Sequence, residues 1–432
     1  MKYFVALICV SVGFVTLSYF LLPSTTSLTY TPASFEQNKV LTEAVLPVEM
    51  VEQDTRKVVR HVPLPKETKT IYMTSCVAGT PSFREKVIAV IEETEINAVI
   101  IDIKDYSGTI SFKPEAPEWI SAWENARCGA RDMEELIQTL HKKNIFVMGR
   151  IAVFQDPFFS KTRPDLSVTK ASDGSVWHDK KGLSFIDVGS REYWDHIILL
   201  ARDSYNIGFD ELNFDYVRYP SDGNMQDIAF PNSVRGEYKN DKPANLEAFF
   251  KYLNEKLDDE ALFTTVRHEN TGRETATPWT SADLFGMTTT NTDDLSIGQV
   301  IERAVPYFDF IAPMVYPSHY PDGFIGLGNP NSNPYAVVYY AMKGGVERIV
   351  ATTTVVAGFT HERLGTSTPA VYSKSTYPAT KLRTWIQDFD YGGDYGPKEV
   401  RAQIQASYDA GVKDFMIWAP SNIYTKDALL SE

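Results

Sequence analysis

The chain has 432 residues, of which 43% are apolar and 12% aromatic, and its formal net charge is −14. This composition is globular, and the length suffices for one large domain or two of average size. Lys and Arg are nowhere densely clustered, so nucleic-acid binding and adhesion to an anionic lipid surface are not expected.

The first 22 residues predict a membrane anchor. Lys2 precedes the uncharged run FVALICVSVGFVTLSYFLL (4–22), whose length matches that of a bilayer-spanning helix. The run ends without a clear small-residue cleavage site, which favours an uncleaved transmembrane helix over a cleaved signal peptide. A positive charge at the short end keeps that end in the cytoplasm. We therefore expect a membrane-anchored protein with an extracytoplasmic domain, and a secreted protein is the alternative.

Residues 23–68 predict a disordered linker, since they are rich in Ser, Thr, Pro, Glu and Val and show no sustained period. The folded domain is then expected over residues 69–432. Its two cysteines, Cys76 and Cys128, either form a disulfide in an oxidising compartment or remain two free buried thiols. The chain has no Cys/His spacing of the metal-binding kind, and we expect neither a metal nor a cofactor.

From residue 70, short apolar runs alternate with segments of helical period, which predicts parallel β/α architecture. Helices are expected over 85–95, 132–144 and 191–208. Strands are expected at IYMTSC (71–76), NAVIIDIKDYSG (97–108), IFVMGRIAVF (145–154), FDELNFDYVRYP (209–220), TSADLFGM (280–287), FDFIAPMVY (308–316), LRTWIQDF (382–389) and DFMIWAP (414–420). Eight such units predict a closed (β/α)8 TIM barrel. A doubly wound open sheet is the alternative, but no G-x-G-x-x-G follows the first strand.

The long segment 155–190 follows the third predicted strand, on the face where barrels place their active sites. Its Asp173-Gly174 pair is a strong hairpin-turn signal. We expect this insertion to form a lid or one wall of a cleft. Trp177 is then either a sugar-stacking platform or a side chain packed inside the hairpin.

The fourth predicted strand, FDELNFDYVRYP, mixes carboxylates with large apolar side chains. Alternate residues of a strand face the same side, so Glu211, Asn213 and Asp215 share one face. The apolar set suits the helices outside a barrel, which leaves the polar set pointing at the axis with Asp215 nearest the C-terminal mouth. Burying carboxylates costs several kcal/mol unless they are paired. The stretch therefore predicts a functional site, or else a structural network neutralised by Arg218 or Lys104.

The same alternation in the other strands predicts which side chains meet at the mouth. The predicted mouth contains Asp102, Lys104, Arg150, Glu211, Asp215, Asp283, Tyr316, Trp385, Gln387 and Trp418.

Acids beside aromatic rings and amides suit carbohydrates, because sugar C–H faces stack on rings while hydroxyls bond to acids and amides. Glycoside cleavage takes two carboxyl groups, one protonated and one ionised. Asp215 and Asp283, on neighbouring strand ends, could flank one bond, and Glu211 is a further catalytic candidate. The remaining side chains, with Asn213, are substrate-binding candidates.

Residues 70–425 resemble a family of bacterial domains of unknown function that are classed with the glycoside hydrolases. The resemblance rests on IIDIKDYSG (100–108), GRIAVFQDP (149–157), DELNFDYVRYP (210–220), SADLFG (281–286), IAPMVYPSHY (311–320), TWIQDFDYG (384–392) and WAPSN (418–422). It implies a TIM barrel and a glycosidase activity, without an established substrate or mechanism. It also helps to place two further strand-like runs, 261–268 and 348–356, in excursions outside the barrel.

DELNFDYVRYP is also distantly similar to the D-G-x-D-x-D-x-E motif of chitinase-type glycosidases. Asp210 and Asp215 match the first and third acids of that motif, whereas Asn213 and Val217 stand at its second acid and its catalytic Glu. This difference argues against the substrate-assisted mechanism of the chitinases. A different acid would have to donate the proton, and Asp283 is the candidate.

Two functions are compatible with these residues. The first is a glycoside hydrolase that cleaves an extracytoplasmic or cell-envelope polysaccharide, with Asp215 as nucleophile or base and Asp283 as acid. The second is a non-catalytic carbohydrate-binding envelope protein on a degenerate glycosidase barrel, which the missing chitinase Glu supports. A metal-dependent deacetylase is disfavoured, because the seven His residues form no close pair along the sequence. The expected partners are a polysaccharide or oligosaccharide and, through the N-terminal helix, the membrane.

Overall fold

A computed structural model describes residues 54–431 of the chain. The predicted anchor (1–22) and most of the predicted linker lie outside the described residues. Among residues 54–431, no helix has the length and apolar character needed to cross a bilayer.

Eight parallel strands close into a barrel, and each strand pairs with the next one along the chain. They are β1 (Lys69–Met73), β2 (Ala98–Lys104), β3 (Phe146–Ala152), β4 (Glu211–Asp215), β5 (Trp279–Phe285), β6 (Phe310–Met314), β7 (Arg383–Gln387) and β8 (Asp414–Trp418). The circle closes where β8 pairs with β1. All eight predicted strands are confirmed, and the closed parallel barrel has the architecture predicted for a TIM barrel.

Helices alternate with these strands and cover the outside of the barrel. The α-helices are Ser75–Ala78, Pro81–Glu92, Pro117–Glu124, Met133–Lys142, Pro157–Thr162, Arg191–Asn206, Pro231–Arg235, Lys242–Leu257, Ile301–Ala304, Pro334–Val350 and Pro397–Asp409. Short 3-10 turns are Pro164–Leu166, Glu260–Phe263, Gly286–Thr289, Pro317–His319, Phe324–Gly326, Pro330–Ser332, Ala379–Lys381 and Lys426–Ala428. The three predicted helices are confirmed to within a few residues at each end.

Within residues 54–431, five short strands lie outside the barrel, and two of them overlap the strand-like runs 261–268 and 348–356, as expected. The first pair joins Val58–Arg60 to Arg267–Glu269 in parallel. The other three form a small antiparallel sheet of Thr353–Thr354, Glu362–Leu364 and Val371–Ser373.

The apolar side chains on the two faces of the barrel strands belong to two separate hydrophobic clusters. An outer cluster packs the outward side chains, such as Leu212 and Phe214 of β4, against the helices. An inner cluster fills the barrel axis with Tyr72, Ala98, Ile100, Phe146, Met148, Ala312, Tyr316, Trp385 and Met416. The polar residues of β4 consequently point to the axis, as the alternation predicted.

The insertion at 155–190 forms a wall beside the mouth. Trp177 is 1% exposed, packs against Val168 and Phe185, and donates from Nε1 to the carbonyl oxygen of Asn224 at 3.1 Å. Of the two alternatives for Trp177, packing inside the hairpin is therefore confirmed, and the sugar-platform hypothesis is wrong.

The folded unit begins earlier than the sequence predicted. Residues 54–68, assigned above to the disordered linker, contain the strand Val58–Arg60 and the buried side chain of His61. The linker prediction is wrong for this part, because the strand finds its partner in Arg267–Glu269, about 200 residues further along the chain. A search for local periodicity cannot detect such a partner.

Cys76 and Cys128 form a disulfide, with their Cα atoms 4.6 Å apart. The bond joins the segment after β1 to the segment that follows β2 and the helix Pro117–Glu124. This observation decides between the two alternatives that the sequence left open.

Truncation tests the new domain boundary. A fragment that starts at residue 69 should unfold at a lower temperature than one that starts at residue 54. The shorter fragment loses the strand Val58–Arg60 and leaves Asp210 without its bonds to His61 and to the backbone N–H of Val62. A buried group left without a partner costs about 1–3 kcal/mol. Thermal unfolding followed by circular dichroism measures the difference, and equal melting temperatures would contradict the revised boundary.

Candidate active site

The centre of the mouth is the buried guanidinium of Arg150, at the C-terminal half of β3. Its Nη1 donates to Oδ1 of Asp102 on β2 at 2.7 Å, and its Nε donates to Oδ2 of Asp215 on β4 at 3.1 Å. Nη2 of Arg150 also donates to Oδ2 of Asp215. Because β2 and β4 flank β3 in the barrel, one cation offsets an anion on each side of it.

Asp283 on β5 completes the group, although it is bound differently. Its Oδ1 accepts hydrogen bonds from Nδ2 of Asn213 at 2.9 Å and from Nε1 of Trp385 at 2.7 Å. Its Oδ2 lies 3.8 Å from Nε of Arg150, beyond hydrogen-bond distance. Since the same Nε is 3.1 Å from Oδ2 of Asp215, the two carboxyl oxygens are at most about 7 Å apart.

The environment of Asp283 favours its protonated form. Burial and the neighbouring charge of Asp215 raise the pKa of Asp283 to about 8, and the more distant Arg150 opposes this shift only in part. Burial also raises the pKa of Asp102, against the lowering effect of Arg150. Asp283 therefore carries a proton at neutral pH, while a guanidinium contacts Asp215 directly.

A cavity of about 170 Å³ opens over these acids. The structure brings six of the predicted mouth residues to its walls, namely Arg150, Asp215, Asp283, Tyr316, Trp385 and Trp418. Arg150 also lies under the ring of Trp418, 5.2 Å from its centroid. Asp102 and Asn213 contact this group directly through Arg150 and Asp283.

Several residues of the site were not among the predicted ones. They are Tyr72, Tyr216, Arg218, Phe285, Met314 and His319. Tyr72 donates its hydroxyl to Asp102 and shares the inward face of β1, so the alternation of that strand could have identified it. Tyr216 has a φ of +51° at the end of β4, a conformation that the sequence does not signal.

Lys104 lies outside the mouth, which corrects its assignment as a substrate-binding candidate. The register between β2 and β3 shifts between Asp102 and Lys104, so this bulge turns Lys104 away from the axis. Its ammonium group is fully buried, lies 3.1 Å from the carboxylate of Asp156 and donates to the carbonyl oxygen of Gln155 at 3.2 Å. Lys104 thus fixes the start of the 155–190 insertion and does not pair with Asp102.

Glu211 points to the axis as predicted but lies far below the mouth. Both of its oxygens accept from Nη1 of Arg383, at 2.6 and 2.7 Å, and both side chains are fully buried. Glu211 does not line the cavity. This geometry is typical of a structural ion pair, so Glu211 is no longer a catalytic candidate.

Gln387 also has a structural role. Its Oε1 accepts from the backbone N–H of Ser318 at 3.2 Å, and its Nε2 donates to the carbonyl oxygen of Phe389 at 2.9 Å. It is buried and does not line the cavity. Gln387 therefore holds the segments that follow β6 and β7, and the predicted contact with substrate is not available to it.

Asp210, the match to the first chitinase acid, lies at the opposite end of β4 from Asp215. His61 Nδ1 and His141 Nε2 lie 3.2 and 2.9 Å from its two oxygens, and His268 Nδ1 lies 2.9 Å from His61 Nε2. This cluster was missed because its members come from separate segments of the chain. Within residues 54–431, no group of His, Cys, Asp and Glu side chains has a geometry suited to a metal ion.

A family model described as "Putative glycosyl hydrolase domain" matches residues 70–424. The chain belongs to this family. The match covers nearly all of the barrel, and it confirms the resemblance that the strand-end motifs indicated. A comparison with curated proteins gives no significant match.

Solved structures that are similar to this chain include glycoside hydrolases. The glycoside hydrolase domain of PgaB (BpsB) from Bordetella bronchiseptica is 11% identical, with a TM-score of 0.52 over 87% of this chain and 99% of that one. A hypothetical protein from Ruminiclostridium thermocellum is 26% identical, with a TM-score of 0.38 over 46% of this chain and 95% of that one. Alpha-L-fucosidase isoenzyme 2 from Paenibacillus thiaminolyticus is 9% identical, with a TM-score of 0.48 over 86% and 48%. At such identity, the Bordetella structure shows the fold alone.

The structural assignment of Glu211 can be tested directly. Glu211→Gln should lower the free energy of unfolding by about 3 kcal/mol, because it removes the nearer of the two carboxylates that pair with buried Arg383 and leaves only Asp414, 3.4 Å from Nε. Urea unfolding measures the loss. Replacing both Glu211 and Arg383 with Met should recover part of the stability, since the pair is then removed together and only Asp414 loses a partner. A Glu211→Gln variant as stable as the wild type would contradict a structural ion pair.

Proposed function

We propose that the protein is a glycoside hydrolase in which Asp283 is the general acid and Asp215 is the nucleophile or base. One observation carries the proposal. Two carboxyl groups at most about 7 Å apart line one cavity, and only one of them is bonded to a guanidinium. A pKa of about 8 lets Asp283 keep the proton that a leaving glycosidic oxygen needs. Two carboxyl groups in one cavity, one protonated and one ionised, are the arrangement that paired-carboxylate glycosidase chemistry uses.

The walls of the cavity suit a sugar ring. Trp418 is partly exposed and supplies an aromatic surface on which the C–H face of a sugar can stack. Trp385 and Tyr316 are buried and bound the cavity from beneath. Trp385 also positions Asp283 through its indole N–H. Arg218 lies over the ring of Tyr216 at 5.1 Å and places further N–H donors at the rim.

A carbohydrate-binding protein without catalysis is the second candidate. Two observations favour it: buried Val217 stands where the chitinase motif has its catalytic Glu, and Arg150 engages Asp215 through two nitrogens. A carboxylate held in this way is a weaker nucleophile than a free one. Activity measurements on the variants below separate the two candidates.

We propose an extracytoplasmic or cell-envelope polysaccharide as the substrate, with the N-terminal apolar run as a membrane anchor. The disulfide between Cys76 and Cys128 supports this location, since such bonds persist in oxidising compartments. The family membership supports a glycan as the substrate class.

Substitution of the two acids tests the chemistry. Asp215→Asn and Asp283→Asn should each lower kcat on a cleaved glycan by about a hundredfold or more, because each removes a group that takes part in the reaction. The melting temperature of Asp283→Asn should stay near that of the wild type, since Asp283 is uncharged at neutral pH and Asn keeps an oxygen that can accept the same hydrogen bonds. Asp215→Asn should lower the melting temperature, because it removes one of the two counter-charges of buried Arg150 and leaves only Asp102. A panel of glycans that includes peptidoglycan and exopolysaccharides provides the substrates. Asp309→Asn, at the other end of the barrel, is the matched control, and full activity of both acid variants would contradict the proposal.

The pH profile tests the role of Asp283. A general acid works only while it is protonated, so kcat/KM should fall as the pH rises through about 8. The profile is measured from pH 5 to pH 10 on any glycan that the enzyme cleaves. A rate that stays constant across pH 8 would exclude Asp283 as the acid.

A further inference from the structure

A second and larger cleft adjoins the catalytic cavity. Its volume is about 950 Å³, more than five times that of the cavity, and the two share Arg150, Tyr216 and Trp418 as walls. The cleft lies between the segments that follow β1, β2 and β3, including part of the 155–190 insertion. The two spaces therefore adjoin at the mouth.

The volumes of the catalytic cavity and the cleft suit different parts of a glycan. A cavity of about 150 Å³ holds a single six-membered ring such as benzene. The catalytic cavity, at about 170 Å³, thus has room for one sugar ring beside the acids. Further units of a glycan can continue into the cleft, because it shares walls with the cavity.

The rim of the cleft presents one aromatic ring on a rigid turn. Tyr106 is 58% exposed and lines the cleft. The turn that carries it is held by Asp105, whose Oδ1 accepts from the backbone N–H of Ser107 at 2.8 Å. Gln155 Nε2 donates to the carbonyl oxygen of Tyr106 at 3.3 Å.

Close packing also restricts this turn. Gly108 has a φ of +85°, and a Cβ atom there would lie 2.0 Å from Oδ1 of Asp156. Only glycine fits both the backbone conformation and the space. On the other side of the cleft, the Cys76–Cys128 disulfide joins two of the segments that form its walls. An exposed ring on a fixed support loses little conformational freedom when a ligand stacks on it.

We propose that this cleft binds the neighbouring sugar units of a polysaccharide chain and that Tyr106 is a stacking platform for one of them. The proposal rests on the glycoside hydrolase function proposed above and extends it. The enzyme then acts on chains that reach from the catalytic cavity to Tyr106, and short substrates do not use the platform. Tyr106 is a binding residue, since it touches substrate without touching the reacting atoms.

Chain-length dependence in the full-length protein tests the proposal. The probes are chito-, manno-, cello- and galacturono-hexaose with the corresponding disaccharides. Tyr106→Ala should raise KM for a cleaved hexaose about five- to tenfold, the size of one lost ring contact, and leave kcat and the disaccharide constants unchanged. Tyr106→Phe should restore the wild-type KM, because it keeps the ring. Tyr391→Ala is the matched control, since Tyr391 is 66% exposed on another loop and lines neither space.

Binding to the Asp215→Asn protein, measured by calorimetry, separates this proposal from the proposed function. Hexaose binding that depends on Tyr106, without turnover by the wild type, would support the cleft and overturn the hydrolase function. Turnover of a hexaose with the same KM in wild type and Tyr106→Ala would overturn the cleft and leave the hydrolase function standing. A panel in which no hexaose is bound or cleaved would overturn both.

Discussion

Three carboxyl groups converge on one buried guanidinium, and the mouth of the barrel depends on this arrangement. Arg150 donates directly to Asp102 and Asp215, whereas its Nε stays 3.8 Å from Asp283. Removing charges from water is costly unless they are paired, and a central cation offsets two anions at once. The third acid remains uncharged at neutral pH, because burial beside Asp215 raises its pKa. Burial, the charge of a neighbouring acid and the distance to one cation thus together give Asp215 and Asp283 different protonation states.

The two ends of the barrel interior have different roles. One end contains a buried ion pair that stabilises the fold, and the other, at the mouth, contains the candidate site. On β4, Glu211 belongs to the first through its ion pair with Arg383, and Asp215 belongs to the second. Three residues of strand separate them, a rise of about 13 Å. The charges at the structural end are fully buried and paired, so they can only stabilise the fold. Those at the mouth border open space and can meet a ligand, which is why the candidate site occupies the C-terminal end of the strands.

The alternation of side chains along the strands predicted which residues face the barrel axis in most cases. Where the prediction was wrong, the structure gives a physical reason. On β4 alternation correctly placed Leu212 and Phe214 against the helices and Asp215 at the axis. On β2 it failed for Lys104, because a bulge against β3 changes which side that residue faces. A bulge depends on the pairing of two strands, so the pattern of one strand carries no sign of it. For Glu211 and Gln387, alternation correctly predicted that the side chains face the axis. Their positions along the axis and their hydrogen-bond partners nevertheless give both residues a structural role.

The sequence by itself determined the closed barrel, the places of its eight strands along the chain and the two acids Asp215 and Asp283 at their ends. These properties follow from apolar runs and two-residue alternation, which are local in the chain. Only the tertiary structure decided that Arg150, and not Arg218 or Lys104, offsets the acids, and that residues 54–68 join the folded unit. Each of these is a contact between segments 48 or more residues apart. Its free energy depends on distance and burial, and a pattern of neighbouring residues encodes neither.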